Sequence, residues 1–221
     1  MTGGEAGAIA QTAPASAPAS RAALTPIRHS PPRVLVFGDS ICVYYFPFVK
    51  DLLKDKATIV HGGHTVGTRY VKENLDKILK TGGGDWDVIH FNCGLHDVKD
   101  HKVVPIDEYE KNLREIVTRL KAANARLVWG TTTPVGGHSN GNAGDRQDKD
   151  VAEYNAVARK IMEENGIPMD DLYAVAKPKI ADIQKNDGVH FEDEGSKLLA
   201  RSVADSILSA ISARGTATAP K

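Results

Sequence analysis

The sequence predicts a three-layer α/β fold, in which a parallel sheet of about five strands lies between two layers of helices. Short apolar runs alternate with longer amphipathic segments along the chain, and right-handed crossovers place each intervening helix over the sheet. The 221 residues are 41% hydrophobic and 25% charged, which is typical of one soluble globular domain with a substantial core.

The expected strands are short apolar runs that end at turn residues. They are RVLVFG (33–38), ATIV (57–60), DVIHFN (87–92), RLVWGTT (126–132) and IPMDDL (167–172). The expected helices occupy the intervals and cover about 46–54, 68–79, 106–123 and 149–165. A last helix is expected after Phe191, where Asp193 can act as its N-cap and apolar residues recur at helical spacing.

Both ends of the chain are expected to be disordered tails. Residues 1–32 and 213–221 are dominated by Ala, Pro, Ser, Thr and Gly, and such segments bury too little apolar surface to offset the entropy of ordering. The folded body is therefore predicted to span 33–212, and deletion of 1–30 is expected to leave the melting temperature unchanged. The N-terminus lacks the apolar core of a signal peptide, so the compartment stays open.

The composition argues against several classes of partner. Lys plus Arg is 28 and Asp plus Glu is 28, so no basic excess is available for nucleic acid or an anionic membrane. No apolar run approaches the roughly 20 residues that span a bilayer. Cys42 and Cys93 lack metal-ligand spacing, and two buried thiols are favoured over a disulfide between them. No cofactor is predicted, and the oligomeric state is left open.

The strand order predicts where a ligand binds. In the flavodoxin-like order 2-1-3-4-5, the order reverses between the first and third strands, and ligands bind beyond the carboxyl ends of the strands at that point. GDSICVYY follows the first strand and NCGLHDVKD follows the third. Ser40 and the group 92–97 are therefore expected to face one another across one crevice.

A serine at this place is either part of a plain turn or a nucleophile. A nucleophilic serine needs a histidine as base and a carboxylate that orients the histidine. In NDGVHFEDEG, Asp187 lies three residues before His190 on a turn that leads into a helix. Taken alone, Asp-x-x-His is more often an ordinary surface turn.

A tetrahedral intermediate also requires hydrogen-bond donors for its oxyanion. HGGHTVGT after the second strand supplies Gly63, and NCGLHD after the third supplies His96, with Asn92 as the alternative donor. His61, His64, His96, Asp97 and His190 can be combined on paper into a metal site, but the loops do not promise the clustered geometry, and no metal is predicted.

The four segments in this order resemble the GDSL or SGNH hydrolase superfamily, over essentially the whole of 33–212. The resemblance implies that Ser40 is the nucleophile, that Asp187 and His190 complete a catalytic triad, and that the Ser40 backbone N–H and Gly63 belong to the oxyanion hole. The superfamily has Gly-x-Asn-Asp in its third block, whereas this chain has Gly-Leu-His-Asp, with His96 at the Asn position. GLHD further resembles a bacterial subgroup assigned as carbohydrate esterases.

The resemblance implies a serine esterase that acts on short acyl esters, in particular acetyl esters of carbohydrates. A lipase or thioesterase of the same fold and an inactive carbohydrate-binding protein on that scaffold are the alternatives. Because imidazole titrates near neutral pH, His96 is expected to add an ionisation there to the pH profile of activity.

Overall fold

The computed structural model describes residues 25–136 and 145–213, and within them five parallel strands form one sheet in the order β2-β1-β3-β4-β5. The predicted fold class and strand order are confirmed. The strands are β1 (Arg33–Gly38), β2 (Thr58–His64), β3 (Val88–Phe91), β4 (Arg126–Gly130) and β5 (Met169–Asp170). The central strands β1 and β3 are buried on both faces, which explains their continuous apolar runs.

Helices cover both faces of this sheet. They are α1 (Ser40–Leu52), α2 (Gly67–Lys80), α3 (Lys99–Lys102), α4 (Ile106–Lys121), α5 (Asp148–Glu164), α6 (Leu172–Ala176), α7 (Ile180–Ile183) and α8 (Asp193–Ser212). Helices α1 and α8 pack together, while α4 packs against both α2 and α5. None of the helices described is long and apolar enough to cross a membrane.

Helix α1 begins six residues before its expected start, and the starts of α2, α5 and α8 each differ from the expected ones by one residue. Helix α1 starts at Ser40 instead of Phe46, because the Asp39 carboxylate accepts the backbone N–H of Ile41 at 2.9 Å and so caps the helix early, with Pro47 inside it. The N-cap of α8 is Glu192, and Asp193 is the first helical residue. The early start of α1 places Ser40 in the first turn of a helix.

The chain before β1 is held against the body. Residues 1–24 of the predicted tail lie outside the described residues, but 25–32 are described. The buried carboxylate of Asp87 accepts the backbone N–H of Arg28 at 2.6 Å, the His29 Nδ1–H at 2.8 Å and the backbone N–H of Arg33 at 2.8 Å. The Arg28 guanidinium also donates to the Trp86 carbonyl at 2.6 Å. The predicted C-terminal tail lies outside the described residues except for Ala213.

These contacts change the expected effect of truncation. Deletion of 1–30 removes two of the three donors to Asp87 and leaves that buried carboxylate poorly satisfied, which costs about 1–3 kcal/mol and lowers the melting temperature by roughly 3–10 °C. Deletion of 1–24 is the matched control and should leave the melting temperature unchanged. Equal melting temperatures for the two truncations, measured by calorimetry, would show that Arg28 and His29 add nothing to stability.

Candidate active site

Ser40 lies where β1 ends and α1 begins. Gly38 makes this turn possible, because a Cβ at that position would lie 2.8 Å from the Cβ of Cys42. The first N–H groups of an α-helix have no acceptor within the helix, so the backbone N–H of Ser40 is available to a ligand. The serine side chain is half-buried at the predicted crevice.

Ser40, His190 and Asp187 form a continuous hydrogen-bonded chain. Ser40 Oγ lies 2.8 Å from His190 Nε2, and His190 Nδ1 lies 2.6 Å from Asp187 Oδ2. A carboxylate at Nδ1 holds the proton there and leaves Nε2 to accept the proton of a serine hydroxyl. The structure thus brings these three side chains together, although 150 positions separate Ser40 from His190.

The loop that carries Asp187 and His190 is fixed by its own backbone. Asp187 Oδ1 accepts the N–H groups of Val189 and His190, each at 2.9 Å, and the His190 carbonyl accepts the Lys185 N–H at 2.8 Å. Burial by itself raises the pKa of Asp187, but the hydrogen bonds from the His190 ring and the two N–H groups outweigh it and lower the pKa below its usual value. Asp187 therefore stays ionised beside the imidazole.

Gly63 lies near the end of β2 with φ +97°, a backbone conformation that favours glycine. It is exposed, and its N–H donates to His61 Nδ1 at 3.2 Å. As Nδ1 is the acceptor, the proton of the neutral His61 ring is on Nε2, which faces Cys42 Sγ at 3.7 Å. The Gly63 N–H must leave His61 before it can reach a substrate oxygen.

Asn92 is occupied by the fold. Its Nδ2 donates to the Gly130 carbonyl at 2.8 Å and to Thr132 Oγ1 at 3.3 Å, and the residue is 6% exposed. A carboxamide has only two N–H donors, and both have partners between the ends of β3 and β4. This geometry favours His96 over Asn92 as the third donor.

The imidazole of His96 lies partly buried in the loop after β3. Its Nε2 is buried and has no hydrogen-bond partner among the described residues. Burial, followed by the positive charge of Arg146, lowers the pKa of His96 to about 4. The ring is therefore neutral at physiological pH, and the ionisation expected near neutral pH moves to the acid range.

Asp97, the last residue of GLHD, holds the loop to the fold. Its carboxylate accepts the backbone N–H of Thr68 with both oxygens at 3.0 Å and also the Thr68 hydroxyl, so it caps the N-terminus of α2. Burial raises the pKa of Asp97 to about 6 despite the bonds from Thr68. Asp97 thereby anchors the loop that carries His96.

Sequence reasoning did not identify three residues that lie near the hydrogen-bonded Ser40, His190 and Asp187. Arg146 is 6% exposed and its Nε–H donates to the Leu95 carbonyl at 2.8 Å. The ring of Tyr44 lies 5.4 Å from the His190 ring, and Lys185 Nζ lies 4.5 Å from the centre of the Tyr44 ring. Tyr44 follows Ser40 by one helical turn, and this spacing was the signal that could have found it. Arg146 had no such signal.

The two cysteines and the candidate metal ligands are the remaining features that the sequence singled out. Cys42 and Cys93 are buried free thiols, and burial raises the pKa of Cys42 to about 12. No group of three or more His, Cys, Asp or Glu side chains among the described residues could hold a metal ion. Residues 137–144, within the Gly- and Asn-rich segment 131–148, lie outside the described residues.

This chain is similar to known lipases and esterases. The model of the GDSL-like lipase/acylhydrolase family matches residues 36–198. The isoamyl acetate-hydrolyzing esterase 1 homolog of Mus musculus is 26% identical over 194 residues, 76% of this chain and 78% of that protein. The homolog of Rattus norvegicus is 27% identical with the same coverage.

Solved structures share the fold. An acetyl xylan esterase superposes with a TM-score of 0.63 at 20% identity and covers 79% of this chain and 99% of that one. A lipase/acylhydrolase from Enterococcus faecalis superposes with a TM-score of 0.65 at 19% identity, with 80% and 95% covered.

Proposed function

Because the chain belongs to the GDSL-like lipase/acylhydrolase family and is a carboxylester hydrolase of the SGNH superfamily, we propose that it is a serine esterase that removes acetyl groups from carbohydrates. One observation carries the serine mechanism: the hydrogen bonds of 2.8 Å from Ser40 to His190 and 2.6 Å from His190 to Asp187. They align a nucleophile, a base and an orienting carboxylate.

In the proposed reaction, Ser40 Oγ attacks the acyl carbon while its proton passes to His190 Nε2. The carbonyl oxygen becomes an oxyanion that accepts hydrogen bonds from the Ser40 N–H, the His96 imidazole and the Gly63 N–H once it leaves His61. The intermediate then collapses, the bond to the alkoxy oxygen breaks, and His190 returns the proton to the leaving alcohol. Water, deprotonated by His190, hydrolyses the acyl-enzyme in the same way and releases the acid and Ser40.

The surface beside His190 supports a polyhydroxy alcohol as leaving group. Because His190 protonates the leaving oxygen, the alcohol must lie on its side of Ser40. Tyr44, 45% exposed, presents a ring there, and a nearby groove is lined by Gln184, Lys185 and Asn186 together with Ile180, Ala181, Gly136 and Gly188. An aromatic ring beside hydrogen-bonding side chains suits a sugar better than an alkyl chain.

The acetyl group is proposed from the relatives. Esterase homologs named for isoamyl acetate and a neighbouring acetyl xylan esterase are similar to this chain. The lipase or thioesterase alternative requires longer acyl chains to react better, and the inactive binding protein requires no turnover at all. The identity of the acyl and alcohol groups therefore separates these functions.

We expect acetyl esters to be the best substrates, with kcat/KM for p-nitrophenyl esters falling by at least about tenfold from acetyl to octanoyl. Acetylated xylo-oligosaccharides should be hydrolysed more efficiently than isoamyl acetate, as measured by acetate release. Faster octanoyl turnover would favour a lipase.

Tyr44→Ala should raise KM for the sugar esters more than for isoamyl acetate. Leu52→Ala, which changes an exposed apolar residue at the far end of α1, is the matched control.

A further inference from the structure

Arg146 is a buried cation beside the proposed oxyanion hole. It lies in the loop just before α5, is 6% exposed, and donates its Nε–H to the Leu95 carbonyl at 2.8 Å. That carbonyl belongs to the peptide that joins Leu95 to His96. Burying a guanidinium is costly unless it is paired and hydrogen-bonded. The burial of Arg146 beside the loop that carries His96 therefore indicates a specific function at that loop.

Burial lowers the pKa of Arg146, and nearby carboxylates offset only part of this effect. The carboxylates of Asp39, Asp100 and Asp187 all act on it electrostatically. Asp39 caps α1 directly before Ser40, and Asp187 is the carboxylate bound to His190. Arg146 therefore lies close enough to the segments that carry Ser40 and His190 for its charge to interact with a carboxylate in each.

His96 faces positive or imidazole groups. Arg146, His64, Lys99 and His190 act on it, and the His64 ring lies 5.9 Å away. Burial and these neighbours keep the His96 ring neutral, so that it carries one N–H donor. Its buried Nε2 has no hydrogen-bond partner among the described residues, so a proton on that nitrogen has no acceptor there before substrate binds.

We propose that Arg146 is a positioning residue for ester hydrolysis: its hydrogen bond to the Leu95 carbonyl holds the loop so that the neutral His96 imidazole donates to the oxyanion. This inference rests on the proposed function. The proposed role of Arg146 is indirect and requires no contact with the reacting atoms. Its effect on turnover passes through His96.

The test compares Arg146→Gln and Arg146→Lys with the wild type. Arg146→Gln should lower kcat for p-nitrophenyl acetate by between about 10- and 100-fold with little change in KM, because a misplaced donor weakens binding of the transition state only. Arg146→Lys keeps the charge without the planar fork, so its kcat should lie between the two. Arg126→Gln is the matched control: its guanidinium holds backbone carbonyls at the opposite end of the sheet, and its loss should lower stability without changing kcat.

Two readouts separate positioning from a general loss of structure. In the His96→Ala background, Arg146→Gln should change kcat by less than about threefold, because residues that act as a unit are not additive. NMR titration of the His96 ring should show its pKa rising in Arg146→Gln and staying near the wild-type value in Arg146→Lys. If Arg146→Gln does not fold, the Lys variant and its His96 double mutant decide.

Several outcomes overturn the proposal. Wild-type kcat in Arg146→Gln, multiplicative losses with His96→Ala, or a rise in KM alone would each do so, the last by making Arg146 a substrate contact. Absence of Ser40-dependent turnover in the wild type would instead reject the proposed function. The NMR titration does not depend on turnover, so the link between Arg146 and His96 is measured either way.

Discussion

Ser40→Ala should lower kcat for p-nitrophenyl acetate by on the order of 10⁴ to 10⁶ while the protein stays folded. The hydroxyl that His190 Nε2 contacts at 2.8 Å is the only atom group removed, and loss of a triad nucleophile leaves only the oxyanion hole and binding, worth roughly 10³ to 10⁴ over water. The Asp39 cap of α1 depends on the carboxylate and the Ile41 N–H, not on the serine hydroxyl. The melting temperature should therefore change little.

A fluorophosphonate probe gives the direct measurement. It should label the wild type and Ser209→Ala, a matched change of an exposed serine on α8, and it should not label Ser40→Ala. Labelling that persists in Ser40→Ala, or turnover within tenfold of the wild type, would assign the nucleophile to another residue.

The sheet was predictable because its signals are local. Each strand is a short apolar run that ends at turn residues, and the alternation with amphipathic segments leaves few topologies. The start of α1 was missed because Pro47 favours a helix that begins just before it, whereas the Asp39 side chain caps six residues earlier. The anchoring of 25–32 was missed because the composition of that segment does not reveal the contacts of Arg28 and His29 with Asp87.

The site was predictable to the extent that its geometry follows from topology. Asp187 and His190 are three residues apart, and the strand order brings Ser40 to the same crevice. The partners of Asn92 and the burial of Arg146 depend on contacts between separate segments, which have no periodic signal in the sequence. The bond from Gly63 to His61 lies within β2 and depends on the local backbone conformation. The acid-range pKa of His96 depends on the same contacts, because burial and Arg146 set it.

His96→Ala should lower kcat by about 10² to 10³ with little change in KM, because an oxyanion donor binds the transition state more strongly than the substrate. His96→Asn should recover a substantial part of this loss, since carboxamide is the side chain that the superfamily carries at this position. Steady-state kinetics with p-nitrophenyl acetate measure both.

Asn92→Ala is the control for the competing donor. Asn92 already donates to Gly130 and Thr132. Its removal should therefore lower the melting temperature and leave kcat nearly unchanged. If instead Asn92→Ala abolishes turnover in a folded protein and His96→Ala is nearly silent, the third donor is Asn92 and His96 is a structural residue of the loop.

The pH dependence gives the sharpest separation of these roles. With a pKa of about 4, His96 is neutral through the range above pH 5, so the kcat profiles of the wild type and His96→Asn should run parallel there and diverge only in more acid solution. The pH dependence of protein stability also depends on the protonation of His96. The unfolded state takes up the His96 proton near pH 6.5 and the folded state only near 4, so the wild type should lose stability relative to His96→Asn as pH falls from 6.5 to 4. A constant difference in melting temperature across that window would mean that His96 is not held neutral by the fold, and the donor geometry proposed for it would lose its electrostatic basis.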